Sequence, residues 1–215
     1  MMLHFGTLLA VLAFYRHRLA RLVAGMARLE SSAWRQAVAL VAGCLPAVVA
    51  YVLFDDAVDR CLGNAAFMGA MLLVTGVVLV STRWVQEGRV KEVGLGRALL
   101  IGLAQATALL PGISRSGTTI TAARHLGVER REAADFSFLM SAVLLSGDLA
   151  LSVVKGDLGT GLDGVGTGPA VVASGVSAVV GYISLRWLIR VLSGRHFWCF
   201  GFYCLLAGLA LILLG

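Results

Sequence analysis

The sequence predicts an all-α integral membrane protein, a polytopic helical bundle with inverted-topology repeats and one re-entrant helix–turn–helix. Three observations predict it. The chain has 215 residues, 59% of them hydrophobic and only 14% charged, against about half apolar and a quarter charged in a soluble domain. Its short loops alternate between basic and acidic. The segment order of the first half returns in the second at a shift of 132 residues, with direction reversed.

A chain with mean hydropathy +0.87 has too little polar surface to cover itself in water. A bilayer is the solvent that suits it. The length fits one membrane domain, 1–215, with no second globular domain. The net charge of +6 comes from Lys and Arg in short loops between apolar runs, where helix orientation explains them. Aromatic residues lie within the apolar runs, so no stacking platform for nucleic acid is visible. Cys44, Cys61, Cys199 and Cys204 form no C-x-x-C pair and read as small apolar fillers. The four histidines are scattered and outline no zinc site. The N-terminus lacks the basic start of a signal peptide, since Arg16, His17 and Arg18 follow the apolar stretch.

Six segments read as membrane-embedded helices, at about 1–15, 36–54, 66–82, 134–154, 169–189 and 197–215. The first is short for a span. Between them, 16–35 carries Arg16, Arg18, Arg21, Arg28 and Arg35 against Glu30. Residues 55–65 carry Asp55, Asp56 and Asp59 against Arg60. Residues 83–97 are again basic, 155–168 hold Lys155 against Asp157 and Asp163, and 186–196 hold Arg186, Arg190 and Arg195. The positive-inside rule places 16–35, 83–97 and 186–196 in the cytoplasm, and 55–65 and 155–168 outside. This works only if 98–132 crosses an even number of times. Its two arms, about 14 and 10 residues or roughly 21 and 15 Å, are too short for two crossings. A hairpin at about 97–127, dipping in from the cytoplasm, fits. Irregular backbone at that depth must line a protein cavity.

The 132-residue shift brings Gly43 onto Gly175, Gly69 onto Gly201, Gly76 onto Gly208 and Leu79 onto Leu211. It divides the chain into a first repeat at 1–82 and a second at 97–215. Such inverted repeats place binding sites near the midplane. The partner of hairpin 97–127 would precede residue 1, so the first repeat reads as incomplete by about 40 residues.

Chemistry concentrates in Gln105–Thr119, Q-A-T-A-L-L-P-G-I-S-R-S-G-T-T. Pro111 ends the first arm. Gly112 and Gly117 allow unusual backbone angles and close approach of a ligand. Ser114, Ser116 and Thr119 surround Arg115, and a second helix starts there with free N–H groups. Arginine at membrane depth costs at least about 3 kcal/mol on insertion scales, so it needs a partner or a task. A fixed planar cation, hydroxyls and a helix start make an anion site, and phosphate suits it best. The plainer alternative has Arg115 capping carbonyls or pairing with a carboxylate while the serines satisfy backbone.

The segment resembles the second signature of the bacterial undecaprenyl-diphosphatase (bacitracin-resistance) family, P-G-x-S-R-S-G-x-T, preceded by Glu or Gln where Gln105 stands. Phe136–Ser141 (F-S-F-L-M-S) and His4–Val11 (H-F-G-T-L-L-A-V) are also similar to that family, so the resemblance covers essentially the whole chain. It implies interdigitated inverted repeats with two re-entrant hairpins in a bacterial inner membrane. It implies hydrolysis of undecaprenyl (polyprenyl) diphosphate to the monophosphate and phosphate, recycling the lipid carrier of peptidoglycan synthesis. Arg115 becomes the phosphate clamp, with Ser114, Ser116 and Thr119 as hydroxyl partners. Gly112, Gly117 and Gln105 become substrate-binding residues.

The family's first signature, E-x-x-x-E followed by a serine and a histidine, does not occur in this chain. To that hairpin the resemblance assigns the glutamates for a divalent cation (Mg or Ca) and the attacking serine. No metal ligand is therefore expected among these 215 residues. The partners implied are a polyprenyl diphosphate and the bilayer, with a homodimer as one option and no nucleic acid. A transporter or flippase for a lipid phosphate or other anion shares the same architecture. An inactive truncated homologue is a third reading.

Other residues carry less. Asp148, ionisable within an apolar segment, lines the cavity or lies near the external interface. His4 reads as structural, Glu129–Glu132 as a solvated interfacial turn, and Gly159–Gly168 as an external loop without the strand a nucleotide fingerprint needs.

Overall fold

The computed structural model describes residues 2–154, 167–192, 194 and 196–214. The described residues form α1 (Met2–Ala27), α2 (Ser31–Cys61), α3 (Ala65–Ser81) and a 3-10 turn at Thr82–Trp84. They continue with α4 (Leu95–Thr107), α5 (Arg115–His125), α6 (Arg130–Val154), α7 (Thr167–Leu192) and α8 (Cys199–Leu214). Among them, the only β pairing is an isolated bridge between Val90 and Val128. Four stretches are long and apolar enough to cross a bilayer: Ser31–Phe54, Ala65–Trp84, Arg130–Val154 and Val171–Leu192. Val52, Leu53, Val171, Ile183 and Leu206 are largely exposed. That much apolar surface is unfavourable in water and matches lipid. The chain is an all-α, multi-pass membrane protein.

The helices outrun the apolar segments. The first does not stop near residue 15 but continues through Arg16, Arg18 and Arg21 to Ala27. The connection shrinks to Arg28–Glu30, with Leu29 at φ 58° and the Trp34 indole donating to Met26 O at 3.2 Å. Likewise 55–65 is mostly not a loop, because α2 runs through Asp55, Asp56 and Asp59 to Cys61. Asn64 then caps α3, accepting from Phe67 N–H at 3.0 Å. In the basic stretch 186–196, α7 runs on to Leu192. Arg, Ala and Leu are good helix formers. Charge ends an apolar run without ending a helix.

Glu129–Glu132 is also corrected. Instead of a solvated turn it opens α6, whose Arg130 N–H donates to Glu87 Oε1 at 3.1 Å while its guanidinium pairs with Glu87 Oε2 at 2.6 Å. Residues 155–166, including Lys155, Asp157 and Asp163, lie outside the described residues, as does most of Gly159–Gly168.

The chain forms two compact units, Met1–Trp34 with Phe138–Arg190, and Arg35–Ser137 with Val191–Gly215. In the first, α1 packs on α7. Gly6 meets the Ser174 carbonyl and the Ser177 side chain, and Phe14 lies edge-on to Tyr182 at 6.0 Å.

The second unit holds the Pro111–Thr119 segment, and its spine is α3 against α8. A Cβ on Gly69 would lie 2.8 Å from Gly208 O, and one on Gly76 would lie 2.9 Å from Gly201 O. Only glycine lets the two backbones approach so closely, as is usual where helices associate in lipid. Numbers rise along one helix as they fall along the other, so the pair is antiparallel. The 132-residue shift pairs Gly69 with Gly201 and Gly76 with Gly208, whereas the spatial contacts are Gly69–Gly208 and Gly76–Gly201. An antiparallel pair with the same seven-residue glycine spacing on both helices produces that exchange.

Against this spine lies a hairpin of α4 and α5. At 1.5 Å per residue the arms are about 20 and 16 Å long. Their open ends lie together, since Arg97 Nε donates to Leu126 O at 3.1 Å. Val90 N–H donates to Gly127 O at 3.1 Å and Glu129 N–H to Val90 O at 2.9 Å, tying the preceding strap to the exit. His125, at the end of α5, bonds Ser81 at the end of α3 at 3.0 Å. The closed end reaches Thr75, near the middle of α3.

Candidate anion site at the turn of the helical hairpin

The turn between the arms is built by local rules. Thr107 closes α4, with its hydroxyl donating to Ala104 O at 2.7 Å, and Pro111 cannot continue a helix. Gly112 then takes φ 101°, and a Cβ there would collide with Met68 O of α3. Both facts demand glycine. Gly117 is different. Its φ is not positive; it is the third residue of α5, and its N–H donates to Ser114 Oγ at 3.2 Å. The unusual backbone expected at both glycines exists only at Gly112.

Ser114 is the N-cap of α5, extended at φ −76°, ψ 114°. The second helix thus begins at Arg115, inside the motif, where the sequence reading put a helix start. Arg115 and Ser116 occupy the first two helical positions, half-buried. Among the described residues no acceptor meets their backbone N–H groups, the orphan donors of a helix start. Arg115 Nε donates to Gln105 Oε1 of α4 at 3.3 Å. No described acceptor takes its two terminal nitrogens. Gln105 is buried, and its Nε2 has no partner. Burying an amide donor unpaired costs on the order of 1–3 kcal/mol. The turn therefore carries the guanidinium fork and two backbone donors beside the buried Gln105 amide, and among the described residues no carboxylate pairs with Arg115.

Thr119 does not join this group. It is fully buried, and its hydroxyl lies 2.8 Å from Arg115 O and 2.6 Å from Ser137 Oγ of α6. It fastens α5 to α6. Ser114 serves backbone capping. The structure thus brings Arg115 and Gln105 together, while Ser114, Gly112, Gly117 and Thr119 build the turn and helix that carry Arg115. Cys44 of α2 is buried within electrostatic range of Arg115, and none of the four cysteines is in a disulfide. Asp148 is exposed near the end of α6, and the His4 side chain lies outside the described residues.

Two contributors escaped sequence reading. Thr75, a lone hydroxyl inside an apolar span, contacts the turn from α3; its polarity amid apolar neighbours was a legible signal. Ser137 stands in the F-S-F segment but gave no sign of its partner.

Among the described residues no three His, Cys, Asp or Glu side chains come together. Those residues do not fit a divalent cation.

Fold and site define a multi-pass helical membrane protein that presents one guanidinium and one helix N-terminus at the turn of a hairpin. The chain belongs to the bacitracin resistance protein BacA family, whose sequence profile matches residues 1–210. It is 37% identical to an undecaprenyl-diphosphatase of Geobacter metallireducens, over 98% of this chain and 81% of that protein. It is 40% identical to one of Anaeromyxobacter sp. strain K, over 96% and 73%. It is 36% identical to undecaprenyl-diphosphatase 3 of Bacillus anthracis, over 94% and 78%.

Proposed function

We propose that this protein hydrolyses undecaprenyl diphosphate to undecaprenyl phosphate and inorganic phosphate, returning the lipid carrier to peptidoglycan synthesis. The observation that carries the reading is the Arg115 fork beside two orphan backbone donors and an unpartnered Gln105 amide. Such an array matches the oxygens of a terminal phosphoryl group, and the diphosphatases at 36–40% identity supply the reaction class. A water oxygen adds to the terminal phosphorus, forming a new P–O bond as the bond to the bridging oxygen breaks. The bridging oxygen leaves with the prenyl phosphate, and a proton of the water passes to solvent or product. Arg115 and the start of α5 hold the equatorial oxygens as charge spreads over them. A divalent cation belongs to this reading through family resemblance alone. An anion transporter uses similar broken helices, but no observation here favours it. Incubating the purified chain in detergent with undecaprenyl diphosphate should release phosphate; lipid binding without release overturns hydrolysis.

The hairpin's open end lies by the end of α3, which loop charges place in the cytoplasm. Its closed end meets the middle of that span. We read α4–α5 as entering the inner membrane from the cytoplasm and turning back at mid-depth, within a single membrane domain of a first (1–82) and a second (97–215) repeat. Single cysteines on a cysteine-free background check this in intact cells. An impermeant reagent should label residue 163 and spare residue 190; the opposite pattern overturns the topology.

A further inference from the structure

Thr75 lies in the apolar middle of α3 with no exposed surface. Its hydroxyl reaches across to the turn of the hairpin and makes two hydrogen bonds there. It donates to Gly112 O at 3.0 Å and accepts from Ser114 N–H at 3.1 Å. A hydroxyl has one hydrogen and two lone pairs. Donation to Gly112 therefore fixes the acceptor side toward Ser114, and one atom holds both flanks of Ile113. The same turn rests on α3 at Gly112, whose α-carbon approaches the Met68 carbonyl and the Met71 side chain. Gly76, next to Thr75, contacts Gly201 of α8. The hydroxyl thus stands where the hairpin turn meets the tightest helix pair of its unit.

Ser114 is the link to Arg115. Its N–H is held by Thr75 and its Oγ accepts from Gly117 N–H, so its position sets the first turn of α5. From that turn come the Arg115 guanidinium and the two orphan backbone donors. We propose that Thr75 is a positioning residue for the Arg115 phosphate clamp, acting through Gly112 and Ser114. The clamp itself rests on the phosphatase reading above. Thr75 has no exposed surface, so it acts through the turn it holds. Its effect falls on the aim of preorganised donors, which matters most in the transition state.

Thr75→Val keeps the shape and removes both hydrogen bonds; Thr75→Ser keeps the hydroxyl. Two measurements on the full chain test the proposal. The first is amide hydrogen exchange over residues 110–118, read without substrate. Exchange should rise in Thr75→Val and stay parental in Thr75→Ser. The second is phosphate release from undecaprenyl diphosphate. Thr75→Val should lose about tenfold to a hundredfold in kcat with KM changed less than threefold, a loss confined to the transition state. Thr75→Ser should restore kcat to within threefold. If Thr75→Val does not fold, Thr75→Ala replaces it, with the same expected results. Parental exchange in the hydroxyl-free variant overturns the anchoring. Raised exchange with parental kcat overturns the positioning role. A parent that releases no phosphate removes the hydrolysis reading and the positioning role with it, and exchange alone then decides the anchoring.

Discussion

Arg115→Lys is expected to lower kcat/KM for phosphate release by about 10²–10³-fold, or about 2.7–4 kcal/mol, the usual cost of losing one preorganised donor at developing charge. Arg115→Ala loses at least as much. The lysine keeps the positive charge, so charge alone is not the point. Arg115 gives Nε to Gln105 Oε1 and keeps a planar pair of terminal nitrogens for two phosphoryl oxygens. An ammonium has no such fork, and it cannot bond Gln105 and a phosphate with the same geometry. Gln105 would then be left with neither amide atom well paired, deep in the protein. Phosphate release in detergent, with thermal unfolding of each variant as the folding control, measures the effect. If both variants fold and stay within threefold of the parent, or about 0.6 kcal/mol, Arg115 is not the clamp. The plainer role, a cation that braces Gln105 at the hairpin turn, then stands.

Gly112→Ala is expected to lower both stability and rate. Its φ of 101° lies in the left-handed half of backbone space, where a Cβ costs roughly 1–2 kcal/mol. The added carbon would also press on the Met68 carbonyl, backbone of a packed span that cannot rotate away. Relief requires the turn to lift from α3, and lifting breaks the bonds between Thr75, Gly112 O and Ser114 N–H. The orphan donors of α5 then lose their aim. The expected outcome is a lower unfolding temperature and a rate loss of about tenfold or more. Gly117→Ala provides the comparison. Its φ is not positive, and a Cβ would meet Ser114 at 3.0 Å and Leu79 at 3.4 Å, so its effect should be smaller. Equal effects at the two glycines would show that space, not backbone angle, governs the turn.

Sequence alone determined the solvent and the fold class, and it singled out Arg115. Apolar runs of about 20 residues need a bilayer, and one arginine amid hydroxyls inside such a run needs a task. The glycine spacing at 132 residues marked the positions that meet along α3 and α8, because close helix approach in lipid leaves a compositional trace. Helix ends were not legible. Arg16–Arg21 and Asp55–Asp59 interrupt hydropathy without interrupting hydrogen bonding, so the helices continue past them. The start of α5 was legible at the motif, but the part Ser114 plays there was not. Ser114 capping Gly117 is a local bond, but whether a serine caps or faces a ligand depends on the backbone angle it adopts.

Which hydroxyls face Arg115 was decided only by tertiary structure. Thr119 has the right spacing from Arg115, yet Ser137 on another helix takes its hydroxyl. Thr75, 39 residues before Ser114 in the chain, holds the turn instead. A hydrogen bond is satisfied within about 3 Å and without regard to chain distance, so partners brought together by folding leave no periodic or local mark for a sequence to display.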